Sequence, residues 1–517
     1  MRYLAAFLML ACCGAPRVSP PTGAPPRLVV LLVLDQLPEW AFEAKRPALT
    51  QGFDRLLREG TWLVGSHPTP ATLTAPGHAL LGTGEPPSRS GIIANEWWDR
   101  DANKQVKSID DGDGKSAMRL RVPALGDAMV AANATRAQPG KAFGISLKDR
   151  AAILPVGKGG TAIWYDAKSI AFTATRPLAW LDTHAQAQPI QAHLADVWTP
   201  LDPAKLAELT GTVDAQPGEV GEKGFGPTFP HAIGATKEPA EAIFATPFGN
   251  QLVLDLAVAA IDGEQLGADA TPDLLTLSLS AHDYVGHGWG HESWESWDMT
   301  LRLDAQLDAF MASLDAKVGE GRWAMVVTSD HGAAPLPERT GGGRVTFEDV
   351  HEAANRAARE ELGDGTWISF AKFPYVYLST AARALPEDRR MRALAKVVTA
   401  VRAVAGVERV ERTADLAGDC DPRPADARAL CEMIDVERAG EVLYMLRAGW
   451  VHQDADEHVA TAHGSFHAYD REVPVILLPP GRTSHAAAIK PTSTIEMTEV
   501  APLLASWLGI PAPSTLR

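Results

Sequence analysis

Apolar positions along this chain fall into two patterns. Unbroken runs rich in β-branched residues suit strands covered on both faces of a parallel sheet. Apolar residues recurring every three or four positions suit helices with one buried face. The first run, Leu28 to Asp35 (LVVLLVLD), stops abruptly at a carboxylate and is followed by Gln36 and Pro38. The same form returns in Leu274 to Asp283 (LLTLSLSAHD) and in Ala324 to Asp330 (AMVVTSD, then His331). Thr61–Ser66, Lys141–Leu147, Ala162–Asp166 and Glu472–Leu478 predict further strands. Helical repeats lie between them: Arg46–Gly60 with Leu49, Phe53, Leu56 and Leu57 in step; Phe248–Ile261; and a long one from about Glu292 to Val318. The long one buries Met299, Leu303, Leu307, Phe310 and Leu314, and a last helix, Ile495–Leu508, ends at Gly509. Strands alternating with helices predict an α/β fold, a mostly parallel central sheet with helices on both faces.

Two stretches break the alternation. Pro189 to Ala242 is rich in Gly and Pro and reads as a loop-rich excursion. Residues 335–451 read as a small α+β subdomain inserted into a main domain of 27–334 and 452–517. Its expected elements are helix Phe347–Leu362, strands Thr366–Ala371 and Tyr375–Ser379, helix Pro386–Val404 and strand Val407–Arg412.

At 517 residues the chain can bury a large core, and its net charge of −16 argues against nucleic-acid binding and against docking on anionic lipid. An anionic substrate needs strong local positive charge here, which metal ions can supply. Residues 1–13 read as a signal peptide, with Arg2 ahead of a short apolar run and Cys12-Cys13 after it. Ala11-Cys12 resembles a bacterial lipoprotein cleavage site with Cys12 acylated; an ordinary secretory signal is the alternative. Residues 14–26 read as a Pro-rich tether. The expectation is an exported protein, periplasmic or on the outer surface, touching the membrane only through lipid at Cys12. Cys420 and Cys431 are then expected to pair, closing a loop worth roughly 3 kcal/mol in the chain-entropy model. A thiolate metal site would want C-x-x-C spacing, which they lack.

Candidate chemistry gathers at the strand ends, where open α/β sheets bind ligands. A single strand-end Asp ordinarily caps the next helix; three apolar strands ending in Asp, two with His adjacent, are hard to read that way. Asp283 and His287, four residues apart among glycines, can converge on one metal if the segment turns once. Asp330 and His331 can do so across a tight turn at Gly332. Thr74, with Pro76 just beyond, suits a hydroxyl held at a helix N-terminus, where unpaired N–H groups stabilise an anion; a plain Thr cap is the alternative. Asn95 can donate to a phosphoryl oxygen, and Lys148 and Arg150 beyond a strand can face one dianion, although most such pairs are solvated surface. His463 sits in a Gly/Ser turn and can complete a site, but His458 and His467 lie close by and spacing does not choose among them.

Together LVVLLVLDQ, TPATLTAPGHALLGTGEPPSRSGIIANEWWDR, SLKDRAAILPVGK, LSLSAHDYVGHG, VVTSDHGA and AHGSFHAYDREVPVILL, in this order, resemble the alkaline phosphatase superfamily. Within it they look closest to the PafA-type phosphomonoesterases with a threonine nucleophile, relatives of the type I phosphodiesterase/nucleotide pyrophosphatases. The resemblance implies an alkaline phosphatase-like sheet and two Zn²⁺ ions about 4 Å apart. It makes Thr74 the nucleophile. It gives one zinc to Asp35, Asp330 and His331 with Thr74, and the other to Asp283, His287 and His463. It sets Asn95, Lys148 and Arg150 on the phosphoryl oxygens, and it selects His463 over its neighbours. The substrates implied are small phosphorylated metabolites. Three rivals follow. A nucleotide pyrophosphatase/phosphodiesterase shares the metals and the Thr, but as a family those enzymes typically lack the Lys-x-Arg pair. A sulfatase would need Cys or Ser where Thr74 stands. A non-catalytic zinc-binding surface protein would not need every one of these residues.

Overall fold

The computed structural model describes residues 25–516, apart from residue 113. The expected signal peptide, Cys12 and most of the tether lie outside the described residues. Nine strands form one sheet: β1 (Leu28–Leu34), β2 (Thr61–Ser66), β3 (Ala142–Ser146), β4 (Thr161–Asp166), β5 (Ala171–Ala174), β6 (Asp273–Leu279), β7 (Trp323–Thr328), β8 (Glu472–Leu478) and β9 (Thr494–Glu496). Their order is β9-β2-β8-β7-β1-β6-β3-β4-β5. The neighbours β7-β1-β6-β3-β4 run parallel, as do β2 and β9. β8 runs antiparallel to both its neighbours, and β5 closes the far edge antiparallel to β4.

β1 is covered on both faces, as its unbroken apolar run requires. Leu28, Val30, Leu32 and Leu34 pack with helices Gly52–Glu59, Pro247–Glu264 and Trp294–Lys317. Val29, Leu31 and Val33 pack on the other side with helices Thr74–Thr83, Leu125–Asn133 and Val500–Leu508. Register aligns the tips: Leu34 stands opposite Leu279 of β6, and Val33 opposite Thr328 of β7. The chain therefore delivers Asp35, Asp283 and Asp330 to one end of three adjacent strands.

Four expected elements differ in extent. The second Asp-tipped strand stops at Leu279, and Asp283 lies beyond it in helix Ala281–Trp289. The helix from Arg46 is a 3-10 turn, Arg46–Ala48, and then an α-helix, Gly52–Glu59. The break is made by Asp304 on the long helix, whose carboxylate accepts from the N–H groups of Thr50, Gln51 and Phe53 and so starts the second helix afresh. Ile495 belongs to the edge strand β9 rather than to the last helix, which begins at Val500; the free edge of β2 takes this segment first. The 189–242 excursion contains a helix, Pro203–Thr210, and a two-residue ribbon that buries Trp198 against Asp298 at 2.7 Å.

A second, antiparallel sheet has the order Ile368–Lys372, Tyr375–Leu378, Val442–Leu446, Val407–Arg412, and helices Phe347–Leu362 and Glu387–Arg402 pack on each other beside it. A parallel ribbon, Gly343–Thr346 with Trp450–Gln453, ties the start of this unit to its end. Cys420 and Cys431 are joined in a disulfide with their Cα atoms 5.6 Å apart.

Lys45 is a buried cation packed against the long helix. Lys45 Nζ donates to Ser296 O, Ser296 Oγ and Thr300 Oγ1 at 3.0, 2.6 and 3.1 Å. Burial pushes its ammonium down to about 7, against the pull of Glu292. The unfolded chain then binds more protons than the folded one between about pH 7 and 10.5, so Lys45 costs stability in full below that window and the cost fades as pH rises through it. In Lys45→Met the gain over the parent, read as melting temperature against pH, is expected to be largest near about pH 6 and to shrink toward about pH 10. A difference that does not vary with pH would refute the assignment.

Candidate active site

Asp35 ends β1, and Asp330 with His331 follow β7; all three are fully buried. His331 Nε2 stands 3.3 Å from Asp330 Oδ2 and 3.6 Å from Asp35 Oδ1. These three atoms converge, and each lacks a hydrogen-bond partner among the described residues. His78 Nδ1 is 3.1 Å from Asp330 Oδ2, but it directs its hydrogen to the Thr74 carbonyl at 2.8 Å. Two carboxylate oxygens and an imidazole nitrogen, buried and unpaired, are costly unless a cation joins them, and the donor set is one that Zn²⁺ takes.

The second group rises from helix Ala281–Trp289, whose first turn holds Asp283 and whose next turn holds His287. The segment does turn once, as the four-residue spacing requires, and it is a buried helix rather than a surface one. His287 Nε2 and His463 Nε2 lie 3.3 and 3.7 Å from Asp283 Oδ1. His331 stacks on His463 with ring centres 3.6 Å apart, so Asp283, His331 and His463 form a second trio able to hold an ion. His287 flanks that trio, its ring 5.2 Å from that of His463. The histidines share one arrangement. Nδ1 of His287, His331 and His463 faces the carbonyl of Thr461, Gly332 and Thr72 at 2.9, 3.0 and 2.6 Å. Donation from Nδ1 turns each Nε2 inward as a ligand atom. His458 and His467 instead contact Gln453 and the Leu446 carbonyl, away from this cluster.

Thr74 opens helix Thr74–Thr83 as its first residue, and the preceding Leu73 makes no side-chain cap. The helix lies against β7's tip so closely that a Cβ on Gly77 would sit 2.2 Å from the Asp330 carbonyl oxygen. Asn95 Oδ1 accepts from Ala75 N at 2.8 Å, which commits that oxygen to the helix start and leaves Nδ2 as a donor. Lys148 differs from the expectation of a cation free to face a ligand. Its Nζ donates to Asp35 Oδ2 at 2.8 Å and Asp283 Oδ2 at 2.5 Å, over the Tyr284 ring. Arg150 keeps a buried Nε with no partner among the described residues.

Charge in the cluster is balanced by these contacts. Burial, then Asp330, holds the Asp35 carboxyl well above the usual range against the pull of Lys148. Burial works against Asp283 and Asp330 as anions too. It is outweighed by Lys148 and His287 for Asp283, and by His331 and His78 for Asp330, so both are held low. Lys148 stays protonated despite burial because Asp283 and Asp35 face it. A cavity of about 240 Å³ is lined by Asn95, His287 and His463 together with Phe347, Lys372 and Phe373. A larger cavity of about 980 Å³, near Arg100 and Arg438, contains none of these residues.

The fold brings Asp35, Asp283, His287, Asp330, His331 and His463 together with Lys148, sets Thr74 and Asn95 at the start of the adjoining helix, and adds contacts from Gln36, His78 and Tyr284 that no sequence pattern marked. Gln36 was visible only as the residue after a strand-end Asp.

A model of the type I phosphodiesterase / nucleotide pyrophosphatase family matches residues 29–470. Alkaline phosphatase PafA of Elizabethkingia meningoseptica is 30% identical over 95% of this chain and 92% of its own length. Alkaline phosphatase PhoK of a Sphingomonas species is also 30% identical, over 95% of this chain and 90% of its own. The crystal structure of wild-type PafA superposes with a TM-score of 0.83 at 29% identity, covering 96% of this chain and 98% of that one. Murine ectonucleotide pyrophosphatase / phosphodiesterase 5 shares the fold, with a TM-score of 0.51 at 16% identity over 94% of this chain and 95% of that one. The chain belongs to the type I phosphodiesterase / nucleotide pyrophosphatase family, and it is similar to PafA-type alkaline phosphatases along nearly its whole length.

Proposed function

We propose that this protein, a phosphoester hydrolase by family, cleaves phosphate monoesters through a phospho-threonine at Thr74, uses two zinc ions and releases inorganic phosphate. The observation that carries this reading is the buried, unpartnered trio of Asp35, Asp330 and His331 packed against the helix that Thr74 begins. Asp35, Asp330 and His331 would hold one zinc ion and Asp283, His287 and His463 the other, and ions bound there would supply the Lewis acidity that favours the Thr74 alkoxide and the departing oxygen. Thr74 Oγ1 gives up its proton and forms a bond to phosphorus as the ester oxygen leaves and takes up a proton, and water then hydrolyses the Thr74 phosphoester, releasing phosphate and restoring the hydroxyl. Asn95 Nδ2 and the Arg150 guanidinium bind non-bridging oxygens, with Lys148 beside them. These groups hold a dianion within a chain of net charge −16. Residues 27–334 and 452–517 serve as the catalytic domain, and 335–451 as an insert that lines part of the cavity. The setting is outside the cytoplasm, with small phosphorylated metabolites as substrates.

One observation favours the phosphodiesterase reading: Lys148 Nζ is engaged by Asp35 and Asp283, which leaves Arg150 as the less committed cation. The two readings part on charge. A monoester dianion gains charge-assisted hydrogen bonds that a diester monoanion lacks, worth a combined factor on the order of 10²–10⁴. Side-by-side kcat/KM for an aryl phosphate and the matching aryl methyl diester, with metal analysis, tests this. The monoester is expected to win by that factor, and equal or reversed rates would give the protein to the diesterases.

A further inference from the structure

Gln36 touches carboxylates of both metal-holding groups without itself being a ligand in the reading above. It follows Asp35, is fully buried, and has a φ of +64°, in the left-handed region that a residue with a Cβ seldom adopts. This turn sends its main chain and its side chain to different carboxylates. The backbone N–H donates to Asp330 Oδ1 at 3.2 Å. Nε2 donates to Asp283 Oδ1 at 2.7 Å and lies 3.1 Å from His287 Nε2. Oε1 is fixed in turn, accepting from His291 Nε2 at 3.1 Å. His291 stacks on His282 with ring centres 5.4 Å apart, and His282 Nδ1 faces the Asp35 carbonyl at 3.1 Å. The contacts thus leave the tip of β1 and return to it. Helix Ala281–Trp289 also makes room for the amide: a Cβ on Gly286 would lie 1.9 Å from Gln36 Oε1.

We infer that Gln36 is a positioning residue that orients the Asp283 carboxylate relative to the Asp35, Asp330 and His331 group, and so sets the spacing of the two metal positions. The inference rests on the two-metal reading. A carboxylate already held in one rotamer by an amide loses less freedom when a metal binds. Only the main chain of Gln36 reaches Asp330, so removing the side chain acts directly on Asp283 and reaches Asp35 only through His291 and His282.

Two variants test this. Gln36→Gly removes the amide and accepts the positive φ without strain; Gln36→Ala removes it and keeps a Cβ. Metal-free wild type and variants are titrated with zinc against a chromophoric chelator. Wild type is expected to take up two ions tightly. Both variants are expected to take up one as wild type does and the second on the order of 10- to 100-fold more weakly. Anomalous scattering at the zinc edge then shows the weakened position beside Asp283. Gly286→Ala, which drives a methyl onto Oε1, is expected to give the same loss, and added to Gln36→Gly it weakens zinc no further. Two tight sites in Gln36→Gly, with only a lowered melting temperature, overturn the inference and leave Gln36 as packing. A wild-type protein that binds no zinc overturns the two-metal reading itself.

Discussion

Thr74→Ala is expected to cut kcat/KM for an aryl phosphate on the order of 10⁴-fold or more, while zinc content and melting temperature stay near wild type. The two halves of this result come from different parts of the local structure. The helix that Thr74 begins does not rely on its hydroxyl. Ala75 N is capped by Asn95 Oδ1, the Thr74 carbonyl is held by His78, and Gly77 seats the helix on Asp330. Ala keeps the Cβ and the backbone of all three contacts, so the fold loses little. The reaction in the proposed mechanism loses the atom that forms the bond to phosphorus, and no neighbour replaces it. Thr74→Ser keeps that atom and is expected to retain most of the lost rate. Acid quenching during turnover should leave a phosphate on Thr74 in the wild-type digest by mass spectrometry. Thr74→Ala with activity within about tenfold of wild type would place the nucleophile elsewhere.

What the sequence disclosed about this site follows from how local each feature is. Strand tips were legible because a buried parallel strand must be apolar throughout, so a terminal Asp stands out. The register of β1 with β6 and β7 then brought Asp35, Asp283 and Asp330 together. Asp283 and His287 were legible as one helical turn. His463 was not, because its choice over His458 and His467 depends on which imidazole finds the Thr72 carbonyl, on a segment hundreds of residues away. Resemblance chose it where spacing did not. Element boundaries were lost for the same reason: the helix after Arg46 restarts where Asp304 caps it, a contact with no local trace. Gln36 escaped notice because an amide has no charge or metal affinity to mark it, and its importance lies in its partners.

The Lys148 contacts were equally hidden, and they lead to the second large effect. From the sequence Lys148 is one half of a surface-like Lys-x-Arg pair; in the fold it is buried between Asp35 and Asp283. Removing one partner of a buried ion pair leaves the other uncompensated, at a cost of about 3–5 kcal/mol. In Lys148→Met two carboxylates face each other with nothing between them, so the metal-free variant is expected to melt well below metal-free wild type. Saturating zinc should recover most of that deficit, because cations bound by Asp35 and Asp283 replace the missing charge. Activity does not recover with stability. If Lys148 also faces the phosphoryl group, the zinc-loaded variant loses on the order of 10²–10³-fold in kcat/KM for the monoester and much less for the diester, since the second charge on the substrate is what the ammonium senses. Melting curves with and without zinc, and the ratio of monoester to diester rates, separate the two contributions. An unchanged ratio with the stability deficit intact would make Lys148 a neutraliser of Asp35 and Asp283 alone and leave dianion recognition to Arg150. A variant unchanged in both would contradict the geometry, because Nζ is the one cationic group hydrogen-bonded to both carboxylates among the described residues.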